Sequence, residues 1–279
     1  TASSNSPFDD PDGYKFGKNE DQNIIKCGSY KGSSSADFEV NLGWEPQWIM
    51  FKRTDGSANW SLFDSMRGIV TDGNEIYLYP NLQSSEYTAE RISATATGFI
   101  VDASAGLLIN ENNGDYIYIA IRRPDGYVGK PAEAGTDVFA MDYGASSGEP
   151  RLESGFPIDF AMVRQPATTE NWYTGSRLTG ANKIYTNLTD AMSSQSNFVW
   201  DYNDGWQDSS STTYLSWMFK RHAGFDVVTY KGDHVDNRQI PHSLSKSPEM
   251  IWTKCRDTTD NWVVWHTGMP NSGDGENAT

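Results

Sequence analysis

The sequence predicts an all-β protein made of tandem antiparallel β-sandwich units, and three observations support this prediction. Helical periodicity is almost absent, because no window of about 12 residues keeps apolar side chains at positions i, i+3, i+4 and i+7. Short β-branched and aromatic runs, such as residues 48–52 and 116–121, alternate with turns rich in Gly, Asn, Asp and Ser. One pattern of strand and turn residues also occurs three times. Regularly spaced short strands are typical of an antiparallel sandwich.

The repeated pattern occupies residues 46–65, 157–177 and 248–267. Each copy has a proline, an apolar run ending in Lys or Arg, a polar turn, an Asn-Trp pair and a second apolar stretch. The pairs begin at Asn59, Asn171 and Asn261, so they are 112 and 90 residues apart. A period near 100 is too long for a solenoid repeat of about 20–50 residues. It indicates a tandem array of small domains.

Further matches set the boundaries of the units. A Tyr-Gly segment precedes each proline, Ile76-Tyr77 matches Ile184-Tyr185, and residues 116–123 match residues 214–221. Both of the last two stretches end in a basic pair followed by a turn. We therefore predict a linker or the end of a preceding unit at 1–12, β-sandwich units at 13–125 and 126–223, and an incomplete third unit at 224–279. An incomplete unit should leave an unpaired sheet edge unless another chain fills it.

The strand at residues 48–52 is apolar on both faces, which predicts a central strand with the core on one side and a neighbour on the other. Trp60 and its equivalents Trp172 and Trp262 are interpreted as core anchors, because a repeated core requires the same residue type in every unit. Burying such a side chain contributes about 1.5–3 kcal/mol.

The composition excludes several classes of protein. Hydrophobic residues make up 37% of the chain, enough for packed cores, and the net charge is −15. An acidic chain without clustered Lys and Arg lacks the surface that nucleic acids bind, so we expect no nucleic-acid partner. No stretch approaches the roughly 20 apolar residues that span a bilayer, so we expect no membrane insertion. The two cysteines, Cys27 and Cys255, lie at non-equivalent positions and are expected to be buried small hydrophobes without a disulfide.

Four features occur together in this chain: a Gly-Ser-Tyr-x-Gly pattern, a turn with an aromatic residue and proline, a strand ending in Lys-Arg, and the Asn-Trp pair. As a set they resemble a tandem domain of marine and cyanobacterial phage virion proteins. The matching stretches are residues 28–64, 116–123 and 225–266. That family is described as a concanavalin-A-like, lectin/glucanase-type jelly roll. The resemblance implies a non-enzymatic virion component: a tail fibre, an appendage or a surface decoration. The implied partners are other virion proteins and host-surface polysaccharide, and we expect a homo-oligomer.

Two alternatives stay open: a polysaccharide depolymerase and a secreted cellular adhesin. A retaining glucanase needs two facing carboxylates roughly 5–5.5 Å apart. The best pairs are Glu86 with Glu90 and Glu111 with Asp115, but both lie in turn-rich sequence and neither recurs. We expect no catalytic residues, no metal site and no cofactor. The alternative is Ca²⁺, because the acid-rich turns at residues 9–13, 110–115 and 201–205 cluster the oxygen ligands that this ion prefers.

The candidate glycan site is the loop at residues 200–206, because a sugar offers an apolar face and several hydroxyls. Its side chains combine aromatic rings with carboxylate and amide groups: Trp200, Asp201, Tyr202, Asn203, Asp204 and Trp206. The other interpretation is a hairpin whose tryptophans pack against the sandwich. The two interpretations differ in the exposure of the Trp200 and Trp206 rings.

Overall fold

Antiparallel sheets form nearly all the regular structure of the chain, as the computed structural model shows for residues 23–126, 128, 131–208 and 212–269. The helical segments described in these ranges are three short 3₁₀ turns, at Ala103–Leu108, Gly135–Asp137 and Arg177–Thr179. The predicted all-β antiparallel class is therefore confirmed. The predicted linker at 1–12 lies outside the described residues.

The first sandwich pairs a six-stranded sheet, in the order β1-β9-β3-β4-β5-β6, with a three-stranded sheet in the order β2-β8-β7. Its strands are β1 (Ile25–Lys31), β2 (Phe38–Asn41), β3 (Pro46–Arg53), β4 (Ser61–Asp64), β5 (Glu75–Leu78), β6 (Tyr87–Ala89), β7 (Ile92–Thr95), β8 (Gly98–Val101) and β9 (Asp115–Arg122).

The core of the first sandwich lies between these two sheets. Ile49 and Phe51 point inward from β3 and are fully buried. They share one buried cluster with Phe99 of the three-stranded sheet, and the rings of Phe51 and Phe99 meet edge to face with centroids 5.3 Å apart. Met50, the residue between them on β3, faces outward and is only half-buried, as strand alternation requires. The central position predicted for this strand is confirmed, since β3 lies between β9 and β4.

The second sandwich repeats this topology. Its six-stranded sheet has the order β10-β17-β12-β13-β14-β15, and a two-stranded sheet β11-β16 covers its core. Its strands are β10 (Phe139–Tyr143), β11 (Leu152–Glu153), β12 (Phe160–Arg164), β13 (Tyr173–Ser176), β14 (Asn182–Tyr185), β15 (Ser193–Ser194), β16 (Gly205–Trp206) and β17 (Leu215–Phe219). The equivalent strands follow one another in the same order as in the first sandwich.

Strand register corrects two of the matches predicted from the sequence. Leu62 pairs with Leu78, and its equivalent Thr174 pairs with Ile184, so Ile184-Tyr185 corresponds to Leu78-Tyr79 and not to Ile76-Tyr77. Tyr143 pairs with Leu215 and not with Tyr214. It is therefore one residue out of register with Tyr30, which pairs with Tyr116.

A one-residue shift turns a side chain to the other face of its sheet. Tyr30 accordingly packs against the first core, and its ring stacks on that of Tyr116 at 5.2 Å. Tyr143 points outward and is 54% exposed.

The repeated Asn-Trp pair has the same structural role in both sandwiches. Asn81 donates from its amide nitrogen to Asn59 at 2.9 Å and accepts from the backbone N–H of Trp60 at 3.0 Å. Asn187 makes the equivalent bonds to Asn171 and Trp172, at 2.8 and 3.0 Å. These amide clamps tie the turn that follows the fifth strand of each six-stranded sheet to the start of the fourth.

The tryptophans of these pairs are not core anchors, so that prediction is wrong. Trp60, Trp172 and Trp262 are all half-buried and lie outside the two buried clusters. What the repeated Asn-Trp pair provides is the backbone geometry that the asparagine clamp fixes. This geometry places the indole on the outer side of the sheet. Both cysteines are likewise free and exposed, which contradicts the expected burial.

After the second sandwich the described chain forms one hairpin, β18 (Met250–Thr253) with β19 (Val263–His266). Trp252 pairs with Val264 as Met50 pairs with Leu62, so the hairpin corresponds to β3 and β4. Its turn is anchored on the second sandwich. The N–H of Met192 donates to Arg256 O at 2.8 Å, and the Trp262 indole donates to Tyr185 O at 2.8 Å.

Glu75 at the start of β5 makes the stability of the first sandwich pH-dependent. Its side chain is fully buried and accepts backbone N–H groups of Arg91 and Ile92 at 2.6 and 3.1 Å. Burial raises the pKa of this carboxyl from 4.5 to about 8. The folded protein thus binds the proton more tightly than the unfolded chain does.

The contribution of Glu75 to the free energy of unfolding should be full below about pH 4.5 and should be lost as the pH rises towards 8. The expected slope is up to about 1.4 kcal/mol per pH unit. Urea unfolding at pH 5, 6.5 and 8 should show this loss, and the neutral Glu75→Gln variant should show a flatter profile. Equal slopes for the two proteins would contradict the assignment.

Candidate binding face

The Trp200–Trp206 loop does not present its rings to solvent. Trp206 is fully buried and Trp200 is 6% exposed. The two indoles stack at 4.7 Å inside the second core. Their N–H groups donate to Ser216 Oγ at 3.1 Å and Gly180 O at 2.9 Å. The core interpretation of these two tryptophans therefore holds, and they offer no face to a sugar.

The polar members of that loop lie apart from its rings. Asp201, Asn203 and Asp204 are exposed. Tyr202 is half-buried, and its hydroxyl lies 3.1 Å from Glu149 Oε2. The backbone carbonyl of Asp204 accepts two N–H groups of the preceding turn, from Ser154 and Gly155. These contacts shape a hairpin turn, and the structure does not bring the carboxylates together with an exposed ring.

The other sequence candidates are also accounted for by local contacts. Asp115 pairs with Lys31 at 2.6 Å, and Glu86 lies 3.7 Å from Arg67. Glu86 and Glu90 flank the edge strand β6, where five extended residues would separate them by about 13 Å. That separation exceeds the spacing of glycosidase carboxylates, which is roughly 5–9.5 Å.

Asn110 has a structural role in the acid-rich turn at residues 110–115. It is fully buried, accepts the N–H groups of Ser33 and Ser34 at 2.7 and 3.2 Å, and donates to Asp102 O at 2.7 Å. Its oxygen is thus used within the protein. Among the described residues, no three His, Cys, Asp or Glu side chains are grouped to hold a metal ion. The acid-rich turn at residues 9–13 lies outside the described residues.

Half-buried tryptophans and an exposed tyrosine lie instead on the outer face of the second six-stranded sheet. Trp172 and Trp217 stack with ring centroids 5.0 Å apart and an interplanar angle of 28°. The Arg164 guanidinium lies 5.0 Å from the Trp172 ring, a cation–π contact. Met141 and Tyr143 on the neighbouring β10 are 61% and 54% exposed. We call the group formed by Trp172, Trp217, Arg164, Met141 and Tyr143 the aromatic face.

Strand pairing builds this face. Trp217 on β17 pairs with Met141 on β10 and with Met162 on β12, so all three side chains point to the same side. Trp172 just before β13 reaches the same side from the Asn171 clamp. Asn171, next to Trp172, is exposed, whereas Glu170 accepts the hydroxyl of Tyr214, which packs against the core on the other side of the sheet, at 2.8 Å. The result is a stacked indole pair with a guanidinium group over one ring and an exposed amide beside it.

The first sandwich lacks this arrangement. The position of Trp217 is occupied by Ile119, which pairs with Met50 as Trp217 pairs with Met162. Trp60 and Lys52 stand where the second sandwich has Trp172 and Arg164. Comparing residues 116–123 with 214–221 could therefore have revealed the face, because one outward position changes from isoleucine to tryptophan between equivalent strands.

A buried ionic junction joins the two sandwiches. Arg221, just after β17, donates both terminal nitrogens to the Glu45 carboxylate at 2.7 Å each and donates from Nε to Asp226 at 2.8 Å. Arg123, just after β9, binds Asp226 at 3.0 Å and Ser243 Oγ at 2.8 Å. Arg123 and Arg221 are the second residues of the two basic pairs noted in the sequence. We call these five residues the junction.

The charges of the junction stabilise one another. Burial alone would lower the pKa of the Arg221 guanidinium, but Glu45 and Asp226 raise it above its ordinary value. Burial alone would raise the pKa of the Asp226 carboxyl, but Arg221 and Arg123 hold it below its ordinary value. Both groups are therefore ionised, and the contact between sandwiches depends on that pairing.

A cleft of about 660 Å³ beside the junction is lined by both sandwiches. The buried guanidinium of Arg177 crosses it, donating to Ile158 O at 2.7 Å and to Ser65 O at 3.2 Å. Burial lowers the pKa of Arg177 despite the nearby Asp159 carboxylate. Because its charged groups bind protein atoms on both sides, we assign this cleft to the contact between sandwiches.

The chain belongs to the DUF7483 family, described as a domain of unknown function. Residues 13–123 and 200–276 match it, together about two thirds of the chain. The first stretch contains the described strands of the first sandwich, and the second runs from Trp200 through the β18–β19 hairpin. No curated protein and no solved structure matches the chain. Within the described ranges, every helix is too short or too polar to cross a membrane.

Truncating Trp206 should destabilise the second sandwich strongly. Trp206→Ala removes a fully buried ring and its hydrogen bond, and the expected loss in free energy of unfolding is about 3–5 kcal/mol. Asp201→Ala in the same loop, an exposed position, should change it by no more than about 0.5 kcal/mol. Urea unfolding followed by near-UV circular dichroism measures both, and similar losses would contradict the burial described.

The energetic contributions of Arg221 and Glu45 to the junction should be coupled. Arg221→Met leaves Glu45 and Asp226 buried without their main partner, and the expected loss is about 3–5 kcal/mol. The double variant Glu45→Gln/Arg221→Met should lose less than the sum of the two single variants. A double-mutant cycle from thermal unfolding measures this coupling. Additive losses would show that the two side chains are not coupled.

Proposed function

We propose that this protein is a non-catalytic structural component of a phage particle and that its aromatic face binds host-surface polysaccharide. The observation that carries the proposal is the stacked Trp172–Trp217 pair beneath Arg164 on an open sheet face. The virion setting rests on the sequence resemblance to tandem concanavalin-A-like domains of phage tail fibres, appendages and surface decorations. A cellular secreted adhesin would use the same chemistry in another setting.

The aromatic face suits a carbohydrate for a chemical reason. A pyranose ring has a face of C–H groups that packs on an indole, and its hydroxyl groups need hydrogen-bond partners at the edge of that contact. The indole pair provides the apolar surface. Arg164 and Asn171 supply donors and acceptors beside it. The face is open and follows the strands, so an extended polysaccharide fits it better than a small ligand that needs enclosure.

The junction supports the structural part of the proposal. It joins the two sandwiches through buried ion pairs, which favours a fixed spacing between them over freely jointed domains. A fixed spacing suits a component that extends or displays a surface. We expect the protein to form a symmetric homo-oligomer attached to other virion proteins. Several copies of a weak sugar site would then attach a particle firmly through effective concentration.

The depolymerase alternative requires two carboxylates facing each other across a groove. The contacts of Glu86 and Asp115 with basic side chains do not favour either pair proposed from the sequence. A viscosity assay on host capsule or lipopolysaccharide separates the alternatives, because binding leaves the polymer length unchanged and cleavage shortens it.

The aromatic face is tested by replacing Trp217 with the residue of the equivalent strand. Trp217→Ile places there the side chain that Ile119 provides in the first sandwich, so strand packing should be kept. Polysaccharide binding and adsorption to host cells should fall at least tenfold, or about 1.4 kcal/mol. Isothermal titration with purified host polysaccharide, and an adsorption assay with particles carrying the variant, measure the loss.

Trp60→Ala is the matched control. Trp60 is the equivalent of Trp172 in the first sandwich, but Ile119 stands there in place of Trp217. This control variant should leave binding unchanged. Unchanged binding by a folded Trp217→Ile protein would reject the aromatic face as the sugar site. Equal losses in the two variants would show that the effect is not specific to the second sandwich.

A further inference from the structure

Arg164 is the one charged side chain at the outward positions of β10, β12 and β17, all of which the structure describes. The register places Met141, Trp217 and Met162 on one side of the sheet, and strand alternation places every second residue of each strand with them. The other side chains at these outward positions are aromatic rings, leucine or methionine. A single cation therefore lies on an otherwise uncharged part of a protein whose net charge is −15.

Most of the hydrogen-bond donors of Arg164 are not used by the protein. A guanidinium group has five N–H donors. In the described chain, the Nη2 group of Arg164 donates to Thr168 O at 3.3 Å, and Nε is buried without a partner. None of the described carboxylates forms an ion pair with Arg164. The charge and several donors are thus available to an anion from outside the protein.

The equivalents of Arg164 in the other two copies of the repeat are bound differently. Lys52 and Lys254 each donate their Nζ group to the backbone carbonyl of the next residue, at 2.7 and 2.8 Å. In the first sandwich the following residue, Arg53, pairs with Asp55 at 2.7 Å. The corresponding turn of the second sandwich reads Gln-Pro-Ala-Thr-Thr and contains no acidic residue. The second sandwich therefore combines an arginine with a turn that offers it no carboxylate.

The contact with Trp172 leaves Arg164 able to bind a ligand. The guanidinium carbon lies 5.0 Å from the centroid of the Trp172 ring. A cation–π contact depends on the charge of the guanidinium and does not consume its N–H donors. Its planar fork matches the two oxygens of a carboxylate, with which it forms charge-assisted hydrogen bonds. In a uronic acid, the carboxylate is a substituent at the edge of the sugar ring, so it can reach a cation beside an indole while the C–H face packs on the indole.

We propose that the aromatic face selects acidic polysaccharide, with Arg164 binding the carboxylate of a uronic acid unit whose ring packs on the Trp172–Trp217 pair. This inference rests on the proposed sugar binding by the aromatic face and adds the chemical class of the sugar. The net negative charge of the protein opposes a polyanion at long range, but physiological salt screens charges beyond about 8 Å. The choice of ligand is then made by the groups that touch it.

Polygalacturonate and its methyl ester test the selection, because the two polymers share a backbone and differ in the charge of the carboxyl group. At 0.15 M NaCl the wild-type protein should bind the free acid about fivefold or more tightly than the ester, as measured by isothermal titration. The preference should shrink at 0.5 M NaCl, because salt screens the ion pair and leaves the indole contact in place.

Three variants separate the charge from the apolar surface. Arg164→Gln should abolish the preference by weakening binding of the acid, and binding of the ester should stay unchanged. Lys52→Gln is the matched control, since it removes a positive charge at the equivalent position of the first sandwich, and it should keep the preference. Trp217→Ile should weaken binding of both polymers, because it removes the surface that both sugars share.

Nuclear magnetic resonance gives a readout that a packing role of Arg164 would not move. The Nε–H resonance of Arg164 can be assigned by its absence from the spectrum of Arg164→Gln. It should shift when a trimer of galacturonate is added, because the carboxylate binds the same guanidinium. The methyl ester of the trimer should leave this resonance in place.

Two results would overturn the inference and leave the sugar site intact. The wild-type protein could bind the acid and the ester equally while Trp217→Ile loses both, or Arg164→Gln could weaken both polymers equally, which would mean that Arg164 only holds Trp172 in place. Failure of the sugar site itself has a different signature. The wild-type protein would then bind neither polymer, and the inference would fall with the site.

Discussion

The buried charge of Arg221 is the constraint on which the arrangement of the two sandwiches depends. A guanidinium removed from water is stable only if its donors are satisfied, and here they are satisfied by Glu45 of the first sandwich and by Asp226 beyond the second. Each carboxylate comes from a different segment of the chain. Arg221 thereby holds the two sandwiches and the segment that leads to β18 in contact. Misplacement of any one of the three would leave a buried charge without a partner.

The inward and outward positions of the two six-stranded sheets are under different constraints. Most inward positions of the six-stranded sheets are apolar in both, as for Phe51 and Val163, because a second sheet must pack on them. The outward positions have no such common requirement, and Ile119 and Trp217 differ there. A change from isoleucine to tryptophan on this side alters the surface while leaving the inward packing in place. Distinct surfaces can therefore be built on one sheet topology.

Most of the fold was predictable from the sequence because it depends on local signals. The repeated proline, basic residue and Asn-Trp pair locate equivalent strands, and the apolar run on both faces of residues 48–52 predicts the central place of β3. Register was not predictable, since Tyr30 and Tyr143 differ by a one-residue shift that no local pattern records. It follows from the pairing of distant strands, in which Tyr30 lies opposite Tyr116 and Tyr143 lies opposite Leu215.

The candidate site was harder to predict, because the sequence contains ten tryptophans and their exposure depends on tertiary contacts. Trp200 and Trp206 have polar neighbours in the sequence but pack in a core. Trp172 has the sequence context of a core residue but lies on a face. A side chain's neighbours along a strand alternate between sides, so sequence proximity to Asp and Asn does not tell which way a ring points.

The partners Glu45 and Arg221 are 176 residues apart in the chain, and this separation has a kinetic consequence. Contacts between distant residues require the entropy of a long loop to be lost first, whereas the β3–β4 and β12–β13 hairpins close over short loops. During synthesis the first sandwich is complete before Arg221 leaves the ribosome. Glu45 then remains accessible to water until the second sandwich arrives. Docking of the two sandwiches is therefore a late step in folding, and a nascent chain arrested before residue 221 carries a folded first sandwich with a solvated carboxylate at its surface.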